Sequence, residues 1–430
     1  MKWTKLIRPL LIVLILLSLV LMWAIWTGPN QYDNQSGNEQ KKSSSVMIKR
    51  QLSRVFGPSQ IVLHKSGQAR MTMKKEVITA SNKVFGEVKL GKLEEPVNFT
   101  SEDYQTELNQ ADDKIEWLYF KGIPFGVLSN LFANLPEEYQ EKTFDRMYLS
   151  ETNLNEICFY NTAEKLLYTS EIEEIDQEQL LSTIHSGGAP YRFVEIKEIG
   201  DKYVYLPINE IKLPRLTYMV EKQPNSLFIE RLFDDTSEVR EKRSEQSVQY
   251  LDYISEMRIN EETNILNYYR NRSSSDAMPL TKTLMFSFKE LMLYENWSDE
   301  IHFFDYNKQK NEVTYRRYIE GFPVFSSIGY GATYLTVVEE GMSKLQVPMV
   351  VAQTPIFDEE NQKTLSSGED LLNELAAKNY GLEKIDDIKI GYTWTNNSES
   401  DRVINLDPNW YIYSEGDWIN VQDLDENGGD

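Results

Sequence analysis

Leu10 to Trp26 reads LLIVLILLSLVLMWAIW, and Ser18 is the only polar side chain in it. Extended back to Leu6 and wound at ~1.5 Å per residue, the stretch makes a helix of about 30 Å. That length matches the hydrocarbon thickness of a bilayer. Trp3 lies near one end and Trp23 and Trp26 at the other, where amphipathic rings sit at membrane interfaces. The rival reading is a cleaved secretory signal, which needs an apolar core of about 7–15 residues followed by small residues at a cleavage site. Here the run is longer and continues Trp23-Ala24-Ile25-Trp26-Thr27-Gly28-Pro29. An uncleaved anchor is therefore expected. Lys2, Lys5 and Arg8 precede it, which directs the N-terminus to the cytoplasm and everything after Trp26 to the outside. The span lacks a GxxxG packing face, so a plain tether and a helix that docks on a partner both fit.

Charge divides the same way. All 67 Asp and Glu of the 430-residue chain lie after residue 27, whereas three of the 45 Lys and Arg precede it. The net charge of −22 excludes the broad basic surface that nucleic acid requires. With a hydrophobic fraction of 41%, the body has enough apolar material for packed cores. One cysteine, Cys158, rules out an intrachain disulfide and a thiolate zinc site. Outside a cell, that pattern suits a Gram-positive wall zone.

Gly28 to Ser45 is polar and reads as a flexible spacer. Apolar periodicity returns at Val46. Asn155–Tyr168 reads as a hairpin around Asn161-Thr162-Ala163-Glu164, and Val248–Tyr269 as another with its turn near Asn260–Thr263. Glu312–Ile319 alternates as a strand, and Thr333–Glu339 pairs with Lys344–Val351 around Glu340-Gly341. Leu284, Phe288 and Leu291 form a helical stripe widened by Met285 and Met292, with Pro279 before its start. A second helix is predicted from a Ser366-to-Glu369 capping box, an apolar face of Leu371, Leu372, Leu375 and Ala376, and a stop at Gly381. Hairpins interrupted by helices predict an α+β fold with antiparallel sheets. The predicted organisation is a head and transmembrane helix over 1–27, a linker over 28–45, and three α+β domains over 46–208, 209–298 and 299–430. A faint echo links Trp117–Phe125 with Arg317–Phe325, since both read aromatic, then x-x-Gly-x-Pro, then an apolar residue.

Motifs for chemistry are absent from the sequence. There is no GxxxxGK[ST], GxGxxG, GxSxG or HExxH. The Ile328–Gly331 glycines read as turn residues. His64, His185 and His302 are scattered, and Cys158 sits in an apolar run as a small hydrophobe. The doublets Asp112-Asp113, Glu173-Glu174, Asp234-Asp235, Glu339-Glu340 and Asp386-Asp387 read as solvated surface, because neighbours in a strand face opposite ways. Asp423–Gly428 opens like a calcium loop but lacks the closing bidentate Glu, so it reads as a frayed acidic tail. No catalytic residue, metal or cofactor is expected.

The run Leu16–Thr27 resembles the N-terminus of the YycH family. Tyr315–Phe325 (YRRYIEGFPVF) is similar to that family's Y-x-x-Y-x-x-G-x-P-[VI]-F strand. Leu232–Arg240, the helix after Ser366, Ile390-Gly391-Tyr392 and Leu406–Trp410 follow in the family's order. Tyr315, Tyr318, Gly321, Pro323, Phe325, Pro408 and Trp410 are the motif positions to which a structural role is carried over.

The resemblance implies a single-span protein of the cell membrane with three extracytoplasmic α+β domains, the last similar to YycI. It implies a non-enzymatic regulator that acts with a YycI-like single-span protein on an essential sensor histidine kinase, WalK or YycG, which governs cell-wall turnover. Contact through transmembrane helices is part of that expectation, with Leu10, Leu14, Leu17, Ser18, Leu21, Trp23 and Trp26 as candidate contact residues. Pairing of ectodomains, including with a second copy of this chain, is another part. An anchored extracytoplasmic hydrolase and a cell-wall ligand-binding module are the alternatives. A deep cleft with two facing acids would favour the first.

Overall fold

The computed structural model describes residues 52–109, 113–186, 190–200, 202–272, 278–294, 300–356, 361–378, 380–397 and 400–425. The expected transmembrane segment and linker lie outside the described residues. Among the described residues no helix is long and apolar enough to cross a membrane.

Two large sheets dominate. The first has ten strands, all antiparallel, running Lys202–Pro207, Arg192–Ile199, Gln68–Thr72, Gln60–Lys65, Lys114–Pro124, Thr143–Ser150, Asn153–Asn161, Leu166–Glu174 and Lys89–Leu93, with Val97–Asn98 beside Leu166–Glu174. The second has fourteen strands. It begins with a meander of Arg240–Arg243, Ser247–Leu251, Ser255–Asn260 and Ile265–Arg270. It continues through Gly341–Pro348, Ala332–Val338, Glu312–Ile319 and Phe322–Phe325. A parallel pairing of Val324 with Tyr392 hands it on to Asp387–Asn396, Val403–Ser414, Leu216–Lys222 and Val350–Ile356. Glu300–Asn307 and Asp417–Asn420 flank it. Six labelled helices cover these sheets: α1 Lys75–Phe85, α2 Ser101–Asn109, α3 Gln177–Ile184, α4 Asn225–Leu232, α5 Leu280–Tyr294 and α6 Gly368–Ala377. The α+β expectation with antiparallel sheets is met.

Local signals explain several elements. In α5, Leu284, Phe288 and Leu291 are buried as the 3.6-residue period dictates. Pro279 precedes it, and its carbonyl accepts from the Thr283 amide at 2.9 Å. The Asn153–Asn161 and Leu166–Glu174 hairpin turns where expected, with the Asn161 side chain accepting from the Glu164 amide at 2.9 Å and Lys165 at φ 56°. The Asn260–Thr263 turn is also in place, but Val248 belongs to a separate preceding strand.

Two expectations about α6 are corrected. Ser367, not Ser366, caps α6, its hydroxyl accepting from the Asp370 amide at 3.2 Å. Ser366 instead offers its carbonyl to Trp410. Gly381 does not stop the helix in a left-handed conformation; it has φ −72° and leads into a short turn. The two segments of the sequence echo differ in local structure. Glu320-Gly321 is a two-residue hairpin with both φ positive (52° and 82°), as a type I′ turn demands. Gly122 lies within the continuous strand Lys114–Pro124, where the pairing register shifts between Leu118 and Ile123.

One apolar core joins Phe85, Trp117, Phe144 and Phe159 of the first sheet region to Phe288 of α5 and to Phe303, Tyr315 and Leu335 of the second sheet. A separate core lies under α6 and holds Leu371, Leu375, Tyr392 and Trp410. A third, aromatic cluster of Phe304, Tyr318, Phe325 and Tyr411 packs with Phe120 and Trp418. This cluster marks the seam along which the first sheet meets the second.

Candidate functional site

The register shift at residues 119–122 opens a space beside the first sheet. Across it stand the edge strand Lys202–Pro207, the start of Asp387–Asn396 and the Trp410 ring. They enclose a cavity of about 250 Å³ whose lining includes Asp145, Arg146, Lys202, Asp387 and Lys389.

Behind one wall lies a buried ionic network. Glu116 is 1% exposed. Its Oε1 accepts from Arg146 Nη1 at 2.8 Å and from the Tyr104 hydroxyl at 2.9 Å. Its Oε2 accepts from the Tyr205 hydroxyl at 2.6 Å and lies 2.9 Å from His64 Nε2. Burial alone would raise this carboxyl, but Arg146, His64 and Tyr205 more than reverse it and hold it at about 2. Arg146 also donates to the Tyr203 carbonyl, tying the strand Thr143–Ser150 to Lys202–Pro207, which is not its neighbour in the sheet.

The facing wall holds the second ionic group. Asp387 Oδ2 lies 3.0 Å from both Lys202 Nζ and Lys389 Nζ. Asp387 is 4% exposed and Lys389 14%, whereas Lys202 stands at the mouth at 37%. Burial pushes the Lys389 ammonium down, with Asp387 opposing. Burial also works against Lys202, but attraction to Asp387 prevails and raises it. The Asp386-Asp387 doublet is thus only half solvated surface: Asp386 is exposed, while Asp387 is buried and paired. Lys121–Asp305 at 2.9 Å adds a further tie between the sheets, and the Thr79 hydroxyl donates to Glu300 at 3.2 Å, tying helix α1 to the second sheet.

The motif residues take these places. Tyr315 is buried in the main core and shares a 2.7 Å hydrogen bond with Ser287 of α5. Tyr318 packs its ring against Phe120 (5.2 Å) and His302 (4.6 Å) in the seam. Gly321 turns under Met73, so that an added methyl group would overlap the Met73 carbonyl oxygen. Pro323 pairs with Tyr318 on a short strand. Phe325 stacks on Tyr411 at 4.0 Å, and the Arg316 guanidinium lies 4.4 Å from the rings of both Phe304 and Phe325. Pro408 pairs with Tyr392, and Trp410 Nε1 donates to the Ser366 carbonyl at 3.2 Å. Tyr318 and Phe325 meet in the seam, and Trp410 borders the cavity; Tyr315 lies in the main core. The transmembrane positions Leu10 through Trp26 lie outside the described residues.

The three histidines do not converge. His64 serves Glu116, His185 Nε2 lies 2.9 Å from Glu151, and His302 is buried beside Tyr318. Cys158 is half-buried, and burial pushes its thiol up to about 12, far from the thiolate a nucleophile needs. His302 carries a pH prediction. Burial, together with Arg54 and Lys75, pushes its imidazole from 6.5 down to about 3. A base depressed on folding contributes stability above its ordinary value and loses it as pH falls towards the folded value, at roughly 1.4 kcal/mol per pH unit. Glu300, raised chiefly by burial, offsets part of that loss at the acidic end. Urea denaturation is expected to show stability dropping between pH 7 and 5, and dropping less in His302→Gln. Equal slopes in the two proteins would contradict this.

Sequence reasoning missed Glu116, Arg146, Lys202, Asp387 and Lys389. The one available signal was that Asp387 and Lys389 share a strand face. Nothing in the sequence points to Lys202, which lies 185 residues from Asp387.

The fold and its seam define an α+β body in which an antiparallel sheet and a second, largely antiparallel sheet close over an ionic cleft. The model of the YycH protein N-terminal domain matches residues 5–188, and that of the YycH protein C-terminal domain matches residues 201–428. The chain belongs to the YycH family. It is 22% identical to the "Two-component system WalR/WalK regulatory protein YycH" of Bacillus subtilis (strain 168), over 95% of this chain and 94% of that protein. The crystal structure of YycH from Bacillus subtilis superposes with a TM-score of 0.71 at 17% identity, covering 86% of this chain and 96% of that one.

Proposed function

We propose that this chain is a membrane-anchored, non-enzymatic regulator of a WalK/YycG-type sensor histidine kinase. It acts with a YycI-like single-span protein and thereby influences cell-wall metabolism. The observation that carries the reading is similarity over 95% of the chain to a WalR/WalK regulatory protein.

Physical chemistry supports the arrangement. Leu6–Trp26 is long and apolar enough to span a bilayer, with its basic flank on the cytoplasmic side. The acidic body then lies outside the cell, and its C-terminal region is the YycI-like part. Regulation requires that the chain touch the kinase with different free energy in its two signalling states. The helix supplies that difference by packing against kinase helices, and the body supplies it by pairing with the partner's ectodomain.

Photoreactive residues placed singly at Leu14, Leu17, Ser18 and Leu21 test this in intact membranes. The expected cross-linked products are a histidine kinase and a second single-span protein. Recovery of neither from any of the four positions would contradict the helix-contact reading.

A further inference from the structure

A small buried space where helix α1 meets the second sheet carries an inference independent of the kinase reading. Lys75, Thr79 and Asn82 of α1 line it, with Glu300, His302 and Tyr318 of the second sheet opposite. Asn82 Oδ1 and His302 Nδ1 have no hydrogen-bond partner among the described residues. The two residues are only 7% and 6% exposed, so bulk solvent does not serve them. A buried polar atom in that condition has given up its hydration for nothing. The Tyr318 hydroxyl is likewise buried without a partner.

The hydroxyls nearby are engaged elsewhere. Thr79 donates to Glu300 at 3.2 Å, and Ser59, also on the lining, donates to the Leu118 carbonyl at 3.3 Å. Lys75 Nζ lies 3.8 Å from Glu300.

Size and charge select the occupant. The space is about 10 Å³, close to one water-sized sphere. A cation would face Arg54 and Lys75, and an anion would face the Glu300 carboxylate and the Asn82 side-chain oxygen. Asn82 Oδ1 only accepts hydrogen bonds, whereas the Nδ1 of a neutral imidazole accepts in one tautomer and donates in the other. A small neutral molecule that both donates and accepts satisfies the pair in either tautomer.

We infer that one water molecule is held between Asn82 Oδ1 and His302 Nδ1 and joins α1 to the strand Glu300–Asn307. Such a water is a component of the fold, not of the solvent. It gives α1 a second polar tie to this strand beside the Thr79–Glu300 bond.

The test uses the full chain in non-ionic micelles, with its three histidines isotope-labelled at the ring carbons. NMR cross-relaxation is read between water and Hε1 of His302, the proton on the carbon next to Nδ1. The signal is identified by its disappearance in His302→Gln. Wild type is expected to show a cross-peak with the sign of a long-held water. Asn82→Leu replaces the acceptor by an apolar group of similar size and is expected to abolish it. Hydroxyl protons exchange with water and could relay the same effect, so Ser59→Ala, Thr79→Val and Tyr318→Phe are measured too, and each is expected to retain the cross-peak. Absence of the cross-peak in wild type would overturn the proposal. So would an undiminished cross-peak in folded Asn82→Leu, or its loss in any one of the three hydroxyl variants. Wild type and the hydroxyl variants decide the matter without Asn82→Leu, should that variant not fold.

Discussion

Replacing Glu116 by Ala is expected to destabilise the folded body by about 3–5 kcal/mol, because it strands the Arg146 guanidinium without its closest anion. Glu116 and Arg146 are 1% and 5% exposed at the side chain, so water cannot substitute. The depressed carboxyl points the same way, since Arg146 is the leading cause that lowers it. It titrates at about 2 when folded, against an ordinary 4.5, which corresponds to about 3 kcal/mol at neutral pH. Since the folded value is the lower one, this contribution is complete above pH 4.5 and is lost as pH falls towards 2. Glu116→Gln keeps the shape but not the charge and is expected to cost nearly as much. The double variant Glu116→Leu with Arg146→Met removes both charges and is expected to be more stable than Glu116→Ala alone. Urea denaturation of the four proteins measures this. Additive losses in the double variant would show that the two residues do not act as a pair.

Gly321→Ala is the second large effect. At φ 82° a Cβ atom is strained by about 1–3 kcal/mol. The added methyl group would also overlap the Met73 carbonyl oxygen, which is backbone and cannot swing aside. Gly416 supplies the control, because it has φ 92° in the same kind of two-residue turn and nothing within 4 Å of its added Cβ. Gly416→Ala is therefore expected to cost about 1 kcal/mol, and Gly321→Ala at least twice that. Equal losses would mean that the Met73 segment moves freely and that the seam is looser than described.

The contrast between these glycines shows what a sequence discloses. Turn chemistry is local, so the Asn161–Lys165 hairpin and helix α5 could be read from neighbouring residues, and the turn expected at Glu340-Gly341 falls one residue earlier, at Glu339-Glu340 between the paired Val338 and Gly341. Ser367 in place of Ser366 is a shift of one residue, as expected where two serines compete for one cap. Long-range pairing has no local signature. Gln60–Lys65 pairs with Lys114–Pro124, and Gln68–Thr72 with Arg192–Ile199, yet neither strand names its partner. The cleft is built from such pairings. Glu116 alternates with Ile115 and Trp117 as though it faced solvent; Arg146 comes from the neighbouring strand, two residues off register, and Tyr205 from the edge strand Lys202–Pro207, which is not its neighbour in the sheet. Tyr318, Phe325 and Trp410 were legible as motif positions through family resemblance, but their joint place at the seam and the cavity beside it was not.

Regulation through the membrane helix requires that the whole chain, and not its body alone, alter a kinase. The direct measurement is autophosphorylation of a WalK/YycG-type kinase reconstituted in a bilayer with a YycI-like protein. The full chain is compared with residues 28–430 supplied from the aqueous side. The full chain is predicted to change the rate by roughly 5–150-fold, the span of a coupling of about 1–3 kcal/mol, and residues 28–430 to leave it unchanged. An equal change from both, or from neither, would contradict the account.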